Sequence, residues 1–243
     1  MQLVVDMGNT RLKWATVEHQ QLITGEPLLN EQINQQTLHA RWQALKPPQQ
    51  LAIACVTANQ RLELVVAVAV SLWPAIKIIQ VTAQAQACGI TNAYAQPEKL
   101  GVDRWLALCA ARHFYALPAC IVDCGTAITI DLVNGEGRHL GGFISPGLTL
   151  MKKSLSGGTD ALPFNNDCYS VTPANFTEAA IYSGTLLAAV GLIEKVLATQ
   201  SDMVVILTGG DAELIAPHLS VAGVVNADLV LYGLAIATTH SHF

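Results

Sequence analysis

"CIVDCGTAITIDLV", residues 120–133, repeats the plan of "LVVDMGNTRLKWATV", residues 3–17. Each has an apolar run, an aspartate, one spacer residue, a glycine, small polar residues and then an alternating strand. Asp6 and Gly8 fall in register with Asp123 and Gly125. A carboxylate at the end of an apolar strand needs a partner or a task. The glycine allows positive φ and close approach of a ligand to the backbone, while Asn9 and Thr10 are ordinary turn formers. One copy alone reads more readily as a capped hairpin turn. Two copies half a chain apart predict a duplication, in which each domain opens with a hairpin and the two turns face one cleft.

Working outward from these hairpins, strand patterns cover Leu3 to Asp6, Arg11 to Val17, Leu22 to Thr24, Leu51 to Val56 and Ala75 to Val81. Helical spacing covers residues 31–45, ending before Pro47-Pro48, and Asn59 to Leu72, ending near Pro74. A loop is expected over Gln84 to Leu100, then a helix from Val102 to Tyr115. In the second half a strand over Arg138 to Ile144 leads to a helix opened by Pro146-Gly147. A polar loop follows to about Asn175, then a long helix from Thr177 to Ala198 and a strand from Val204 to Leu207. Thr208-Gly209-Gly210-Asp211 turns into another helix, and a final helix runs from Leu229 to Thr238. Alternation of this kind predicts an α/β layered fold, divided at residues 1–117 and 118–243.

Only 13% of the 243 residues are charged and 51% are hydrophobic, a charge-poor surface that an oligomer would help to cover. The net charge of −5, without clustered Lys and Arg, argues against nucleic-acid binding. The longest uninterrupted apolar run, Leu64 to Val70, is too short to span a bilayer, and no leader pattern precedes the first strand. The expectation is a cytosolic protein without a membrane segment. None of the six cysteines forms a CxxC pair, so they read as buried thiols, and His240 and His242 read as part of a frayed tail.

The chemistry concentrates in a few places. Two acid-glycine turns supply backbone N–H groups for phosphate oxygens and carboxylates for a magnesium ion and its waters, and the turn at Thr208 to Asp211 makes a third element of a nucleotide site. Competing signatures fail. Gly142 and Gly147 have P-loop spacing, but Leu148 stands where the lysine belongs, and Gly135, Gly137 and Gly141 miss the dinucleotide spacing by one. Lys13 shares a strand face with Arg11 and could offset charge on transferring phosphates. In "KLGVDRWLAL", residues 99–108, Asp103 suits a helix N-terminus, but Arg104 beside it opposes the helix dipole and calls for an anionic partner. A small carboxylate substrate would satisfy Arg104, and Asp103 could take the proton of an attacking hydroxyl.

Together "DMGNT" with Lys13, "YAQPEKLGVDRW", "VDCGTAITID", "GGFISPG", "TEAAIYSG" and "TGGD" resemble type III pantothenate kinases in order and spacing, from about residue 3 to residue 238. The resemblance implies two ribonuclease-H-like domains of the actin-like ATPase kind around a central cleft. It also implies transfer of the γ-phosphate of ATP to pantothenate, the first step of coenzyme A synthesis. Magnesium and a monovalent cation, potassium or ammonium, would be the cofactors of a cytoplasmic homodimer. Residue by residue, it places Asp6, Met7, Gly8, Asn9, Thr10, Arg11, Leu12 and Lys13 around ATP, with Thr126 as a phosphate contact. Tyr94, Gly101, Val102, Asp103 and Arg104 would line the pantothenate pocket, with Asp103 as proton acceptor. Asp123 corresponds to a potassium ligand, and Gly209, Gly210 and Asp211 to the neighbourhood of adenosine. Thr177 matches a threonine that reaches the pocket of the partner subunit; alone, it also reads as the cap of its helix. Two other classes fit the scaffold, a regulatory nucleotide-binding protein and a chaperone-like ATPase. Both Asp103 and Arg104 argue against the first, and the chain length against the second.

Overall fold

The computed structural model describes residues 1–57, 59–200 and 202–239, so His240 and His242 lie outside the described residues. The first half begins with strands β1 (Gln2–Met7), β2 (Arg11–Glu18), β3 (Gln21–Thr24) and β4 (Leu28–Leu29). Helix α1 (Gln35–Trp42), strand β5 (Gln50–Cys55), helix α2 (Asn59–Leu72) and strand β6 (Lys77–Gln80) follow, then the short pair β7 (Gln86–Ala87) and β8 (Ile90–Thr91) and helix α3 (Val102–Phe114). The second half has strands β9 (Ala119–Cys124), β10 (Ala127–Val133) and β11 (His139–Pro146) and helices α4 (Leu148–Gly158) and α5 (Thr177–Leu197). It continues with β12 (Val204–Thr208), α6 (Ala212–Ile215), β13 (Gly223–Val225) and α7 (Leu229–Thr239).

The two main sheets have the same plan. The first runs β3-β2-β1-β5-β6 and the second β11-β10-β9-β12-β13. In each, the opening meander is antiparallel and the last two strands join in parallel, β1 to β5 to β6 and β9 to β12 to β13. Parallel joins need crossovers, which the helices between those strands provide. The alternating and apolar runs therefore fold as two copies of one α/β unit, as the repeat requires.

Each unit has its own core. Leu3, Val5 and Met7 of β1 and Leu12 and Trp14 of β2 meet Leu38 and Trp42 of α1 and Val65, Val68 and Ala69 of α2. Trp42 lies edge-on to Trp14 and stacks on Trp73, each at a centroid distance of 6.4 Å. In the second unit Cys120, Val122 and Cys124 of β9 and Ile128, Ile130 and Leu132 of β10 pack on Tyr182, Leu186, Ala189 and Ile193 of α5. Helix α5 is long and apolar enough to cross a membrane by length and composition alone, although its apolar residues form no single uninterrupted run. Its buried stripe is the inner wall of this core, which is what such a composition supplies to a helix packed on a sheet.

Contacts divide the chain into Met1–Phe114 with Asp228–Phe243, and Tyr115–Ala227. The anticipated boundary after residue 117 is close, but the C-terminal helix belongs to the first unit. Gly233 explains this: a Cβ there would stand 2.0 Å from the carbonyl oxygen of Leu106, so α7 and α3 touch backbone to backbone. Gln2 Nε2 also donates to Thr238 Oγ1 at 2.5 Å, tying α7 to β1. The ribbon β7-β8 and strand β13, two or three residues per strand, were not expected, because such strands are too short to show a period. The helix expected over 31–45 is confined to Gln35–Trp42, since Asn34 caps it by accepting from Thr37 N–H at 2.9 Å.

Candidate active site

β1 turns into β2 through Gly8, whose N–H donates to the carbonyl of Arg11 at 3.0 Å. The ladder places Asp6 directly opposite Lys13 and Met7 opposite Leu12. Met7 and Leu12 enter the core, so by the two-residue period Asp6 and Lys13 share the opposite face. Opposite charges on directly facing residues support the hairpin. Asn9, Thr10 and Arg11 are exposed at its tip. Gly8 is not in the left-handed region as expected. Its small size serves a close approach instead, since a Cβ would lie 3.2 Å from the Arg11 carbonyl oxygen. From outside, Asn30 donates through Nδ2 to the carbonyls of Gly8 (3.0 Å) and Asn9 (2.7 Å), and through its own N–H to that of Thr10 (2.9 Å). Nothing in the sequence marked Asn30; it is one asparagine in a stretch without a period.

At the start of α3, Asp103 Oδ1 accepts the N–H of Arg104 at 2.8 Å. A Cβ on residue 101 would lie 2.6 Å from that same oxygen, so Gly101 makes room for the carboxylate to fold back over the helix start. Arg104 is only 6% exposed. Its Nη1 donates to the Tyr94 hydroxyl at 3.1 Å, and its guanidinium carbon lies 5.9 Å from the centre of the Tyr94 ring. Tyr94 is held in turn by Asn92, whose Oδ1 accepts the Tyr94 N–H at 3.0 Å while its Nδ2 donates to the carbonyls of Gln84 (3.1 Å) and Pro97 (3.3 Å). Thus Tyr94, Gly101, Val102, Asp103 and Arg104, separated in sequence by a loop, form one local assembly. The helix also carries Cys109, whose thiol is pushed well up by a hydrogen bond with Cys88 and by burial. It is a protonated thiol at neutral pH.

In the second unit three strand ends meet around Asp123. Gly125 N–H donates to the Ala127 carbonyl at 3.1 Å, Gly147 N–H to the Thr126 carbonyl at 2.9 Å, and Asp211 N–H to the Cys124 carbonyl at 2.9 Å. A Cβ at Gly147 would stand 2.2 Å from the Gly125 carbonyl oxygen, and one at Gly209, where φ is +91°, 2.4 Å from Asp123 Oδ1. Glycine is therefore required at both positions. Burial, then the charges of Asp123 and Asp211, hold the Cys124 thiol well above its ordinary range. "GGFISPG" was noted in the sequence, but the contact of Gly147 with the second turn is tertiary and left no local signal. Thr177 is exposed at the first turn of α5, and the capping position belongs to Phe176, whose side chain makes no cap bond. The reading of Thr177 as a cap is thus replaced.

The sequence model of type III pantothenate kinases matches residues 2–199. A type III pantothenate kinase of Nitrosomonas eutropha is 37% identical over 252 residues, covering 99% of this chain and 95% of the relative. One from a Marinomonas species is 36% identical, covering 90% and 87%. Among solved structures, a Sinorhizobium meliloti protein assigned as a 2-dehydro-3-deoxygalactonokinase superposes with a TM-score of 0.58 at 15% identity, covering 98% of both chains. A Campylobacter jejuni protein assigned to the Baf family of transcriptional activators gives 0.57 at 19% identity, covering 98% of this chain and 97% of its own. The structural likenesses establish the two-domain actin-like ATPase fold. Since the family model spans most of the chain and these relatives exceed 30% identity over nearly its whole length, the chain belongs to the type III pantothenate kinase family.

Proposed function

We propose that the family's reaction, transfer of the γ-phosphate of ATP to pantothenate at the start of coenzyme A synthesis, is carried here by the hairpin of residues 6–13 and by the start of α3. The observation that carries this reading is the assembly at α3. A carboxylate oriented by a helix N–H adjoins a nearly buried guanidinium steadied by a tyrosine. Such a guanidinium suits a carboxylate ligand, which pantothenate has, and Asp103 takes the proton of the attacking hydroxyl. Tyr94 keeps Arg104 in place, and Gly101 and Val102 shape the pocket floor.

On the nucleotide side, Asp6, Met7, Gly8, Asn9, Thr10, Arg11, Leu12 and Lys13 embrace the phosphates. The exposed tip offers main-chain amides, and Lys13 offsets charge as the phosphoryl group moves. Thr126 is a further phosphate contact, and Gly209, Gly210 and Asp211 lie toward adenosine. Magnesium keeps several waters and takes one or two carboxylates besides the phosphates, which suits Asp6, a carboxylate at the penultimate position of β1, where the chain enters the phosphate turn. A potassium or ammonium ion prefers oxygen donors, and Asp123 sits where the glycine at 209 keeps a side chain out. When bound, these ions supply charge compensation for the transferring phosphate.

The enzyme works as a cytoplasmic homodimer, in which Thr177 completes the pocket of the partner subunit. Two features of the second unit support this: Phe176 beside Thr177 is 49% exposed, and Leu140, Phe143 and Ile144 of the edge strand β11 are 48% to 66% exposed. Apolar surface of this kind fits burial in an oligomer. We read the sequence repeat as two ribonuclease-H-like domains, 1–117 and 118–243, the second lending its last helix to the first.

The direct test is phosphorylation of pantothenate by ATP with the purified protein, native and Asp103→Asn. The variant should lose about a thousandfold or more in kcat with its melting temperature retained. Unchanged turnover would remove Asp103 as the proton acceptor, and inactivity of the native protein would reject the reaction itself.

A further inference from the structure

Asn30 lies outside every motif that the fold and the family likeness brought forward, yet it makes three hydrogen bonds to the first acid-glycine turn. Its side-chain amide donates to the carbonyls of Gly8 and Asn9, and its main-chain N–H donates to that of Thr10. Three consecutive carbonyls are thereby drawn toward one side.

The consequence follows from peptide geometry. In a trans peptide the C=O of one residue and the N–H of the next point in opposite directions across a rigid plane. Fixing the carbonyls of residues 8, 9 and 10 toward Asn30 turns the N–H groups of Asn9, Thr10 and Arg11 toward the other side. Successive N–H groups facing one way make a concavity for anions, whereas one flipped peptide would put a carbonyl oxygen against a phosphate. Gly8, without a Cβ, offers little steric resistance to such a flip. The neighbouring 3-10 turn at Asn30–Gln32 and the pairing of Leu29 with Arg11 hold Asn30 in place.

We infer that Asn30 is a positioning residue for ATP: it never touches the nucleotide, but it fixes the orientation of the peptides that do. This rests on the reading of residues 6–13 as the phosphate turn. It predicts an effect on ATP alone, because the pantothenate assembly at α3 has its own brace in Asn92.

The test uses the full chain with Asn30→Ala and Asn30→Asp, comparing KM for ATP, KM for pantothenate, kcat, the dissociation constant for ATP by calorimetry without pantothenate, and the melting temperature. Loss of two hydrogen bonds should raise the ATP constants about tenfold in Asn30→Ala. Asn30→Asp keeps the shape but turns a donor into an acceptor facing carbonyls, so it should be the worse of the two. KM for pantothenate should stay at its native value, and the melting temperature should fall by no more than a few degrees. The inference is overturned if ATP affinity is unchanged in both variants, or if both Michaelis constants rise together with a lowered melting temperature, the mark of a general structural brace. A native protein that binds ATP but does not phosphorylate pantothenate would reject the proposed reaction, while calorimetry on the variants would still decide the role of Asn30. A native protein that does not bind ATP would overturn both.

Discussion

The hairpins at Gly8 and Gly125 are built on the same ladder and differ in what surrounds their turns. In the first, four residues from Gly8 to Arg11 separate the last paired residues, the tip is exposed, and Asp6 faces Lys13. In the second, only three residues, Gly125 to Ala127, lie between the last paired residues, Gly147 and Gly209 press against the turn, and Asp123 faces Thr129. The open turn carries its own cation and is steadied from outside by a side chain. The enclosed turn has an uncharged residue in the lysine position and is steadied by backbone contact. The two copies keep one ladder geometry, and under the proposed function their different surroundings suit them to different tasks, one to a large polyanion and the other to a small ion and the edge of a nucleotide.

The largest way to break this contrast is to give the enclosed turn a side chain it has no room for. Gly147→Ala puts a methyl group 2.2 Å from one carbonyl oxygen and 2.7 Å from the next, both main-chain atoms that cannot rotate away. A cost of about 3 kcal/mol is expected, roughly 10 °C in melting temperature. Thermal unfolding checks it, and a melting temperature within 2 °C or so of native would show that the turn is not rigidly enclosed.

Next in size is Lys13→Thr, which gives the open turn the residue its counterpart carries. Here the fold should stand and the chemistry should fall, by about a hundredfold or more in kcat/KM, since the proposed function has this charge offset that of the transferring phosphate. Steady-state kinetics with the melting temperature measured alongside separates the two effects. A loss confined to stability would show that Lys13 serves only as the cross-strand partner of Asp6.

How much of this was readable from the sequence follows the same contrast. Alternation in β1, β2, β9 and β10 and the repeated aspartate and glycine were visible, because hairpins are local and each residue's direction is set by its neighbours. The pairing of Asp103 with Arg104 was also visible, since both stand in one helical turn. Asn30, Gly147 and Gly209 were not readable as supports, because each acts on residues 20 or more positions away and no local pattern encodes that. The C-terminal helix was recognised as a helix but assigned to the wrong neighbour, because the close approach at Gly233 depends on where α3 lies.

The smallest effect is the most discriminating. At Gly8 and Gly125 the nearest atom to an added Cβ is 3.2 Å away in both, so crowding alone predicts similar, modest penalties of about 1 kcal/mol for Gly8→Ala and Gly125→Ala. The atoms differ. At Gly8 it is the Arg11 carbonyl oxygen, part of the turn's own hydrogen bond, and at Gly125 it is Asp123 Oδ1, a side-chain oxygen that can swing aside. Gly8→Ala should therefore shift the peptides that face the phosphates and raise KM for ATP a few-fold, by about the free energy of one weakened hydrogen bond. Gly125→Ala should instead displace the Asp123 carboxylate, leaving KM for ATP closer to native while raising the potassium concentration needed for half-maximal activity. Titrating ATP at saturating potassium and potassium at saturating ATP reads the two effects separately. Identical responses from both variants would mean that the turns, despite their different surroundings, still perform one task.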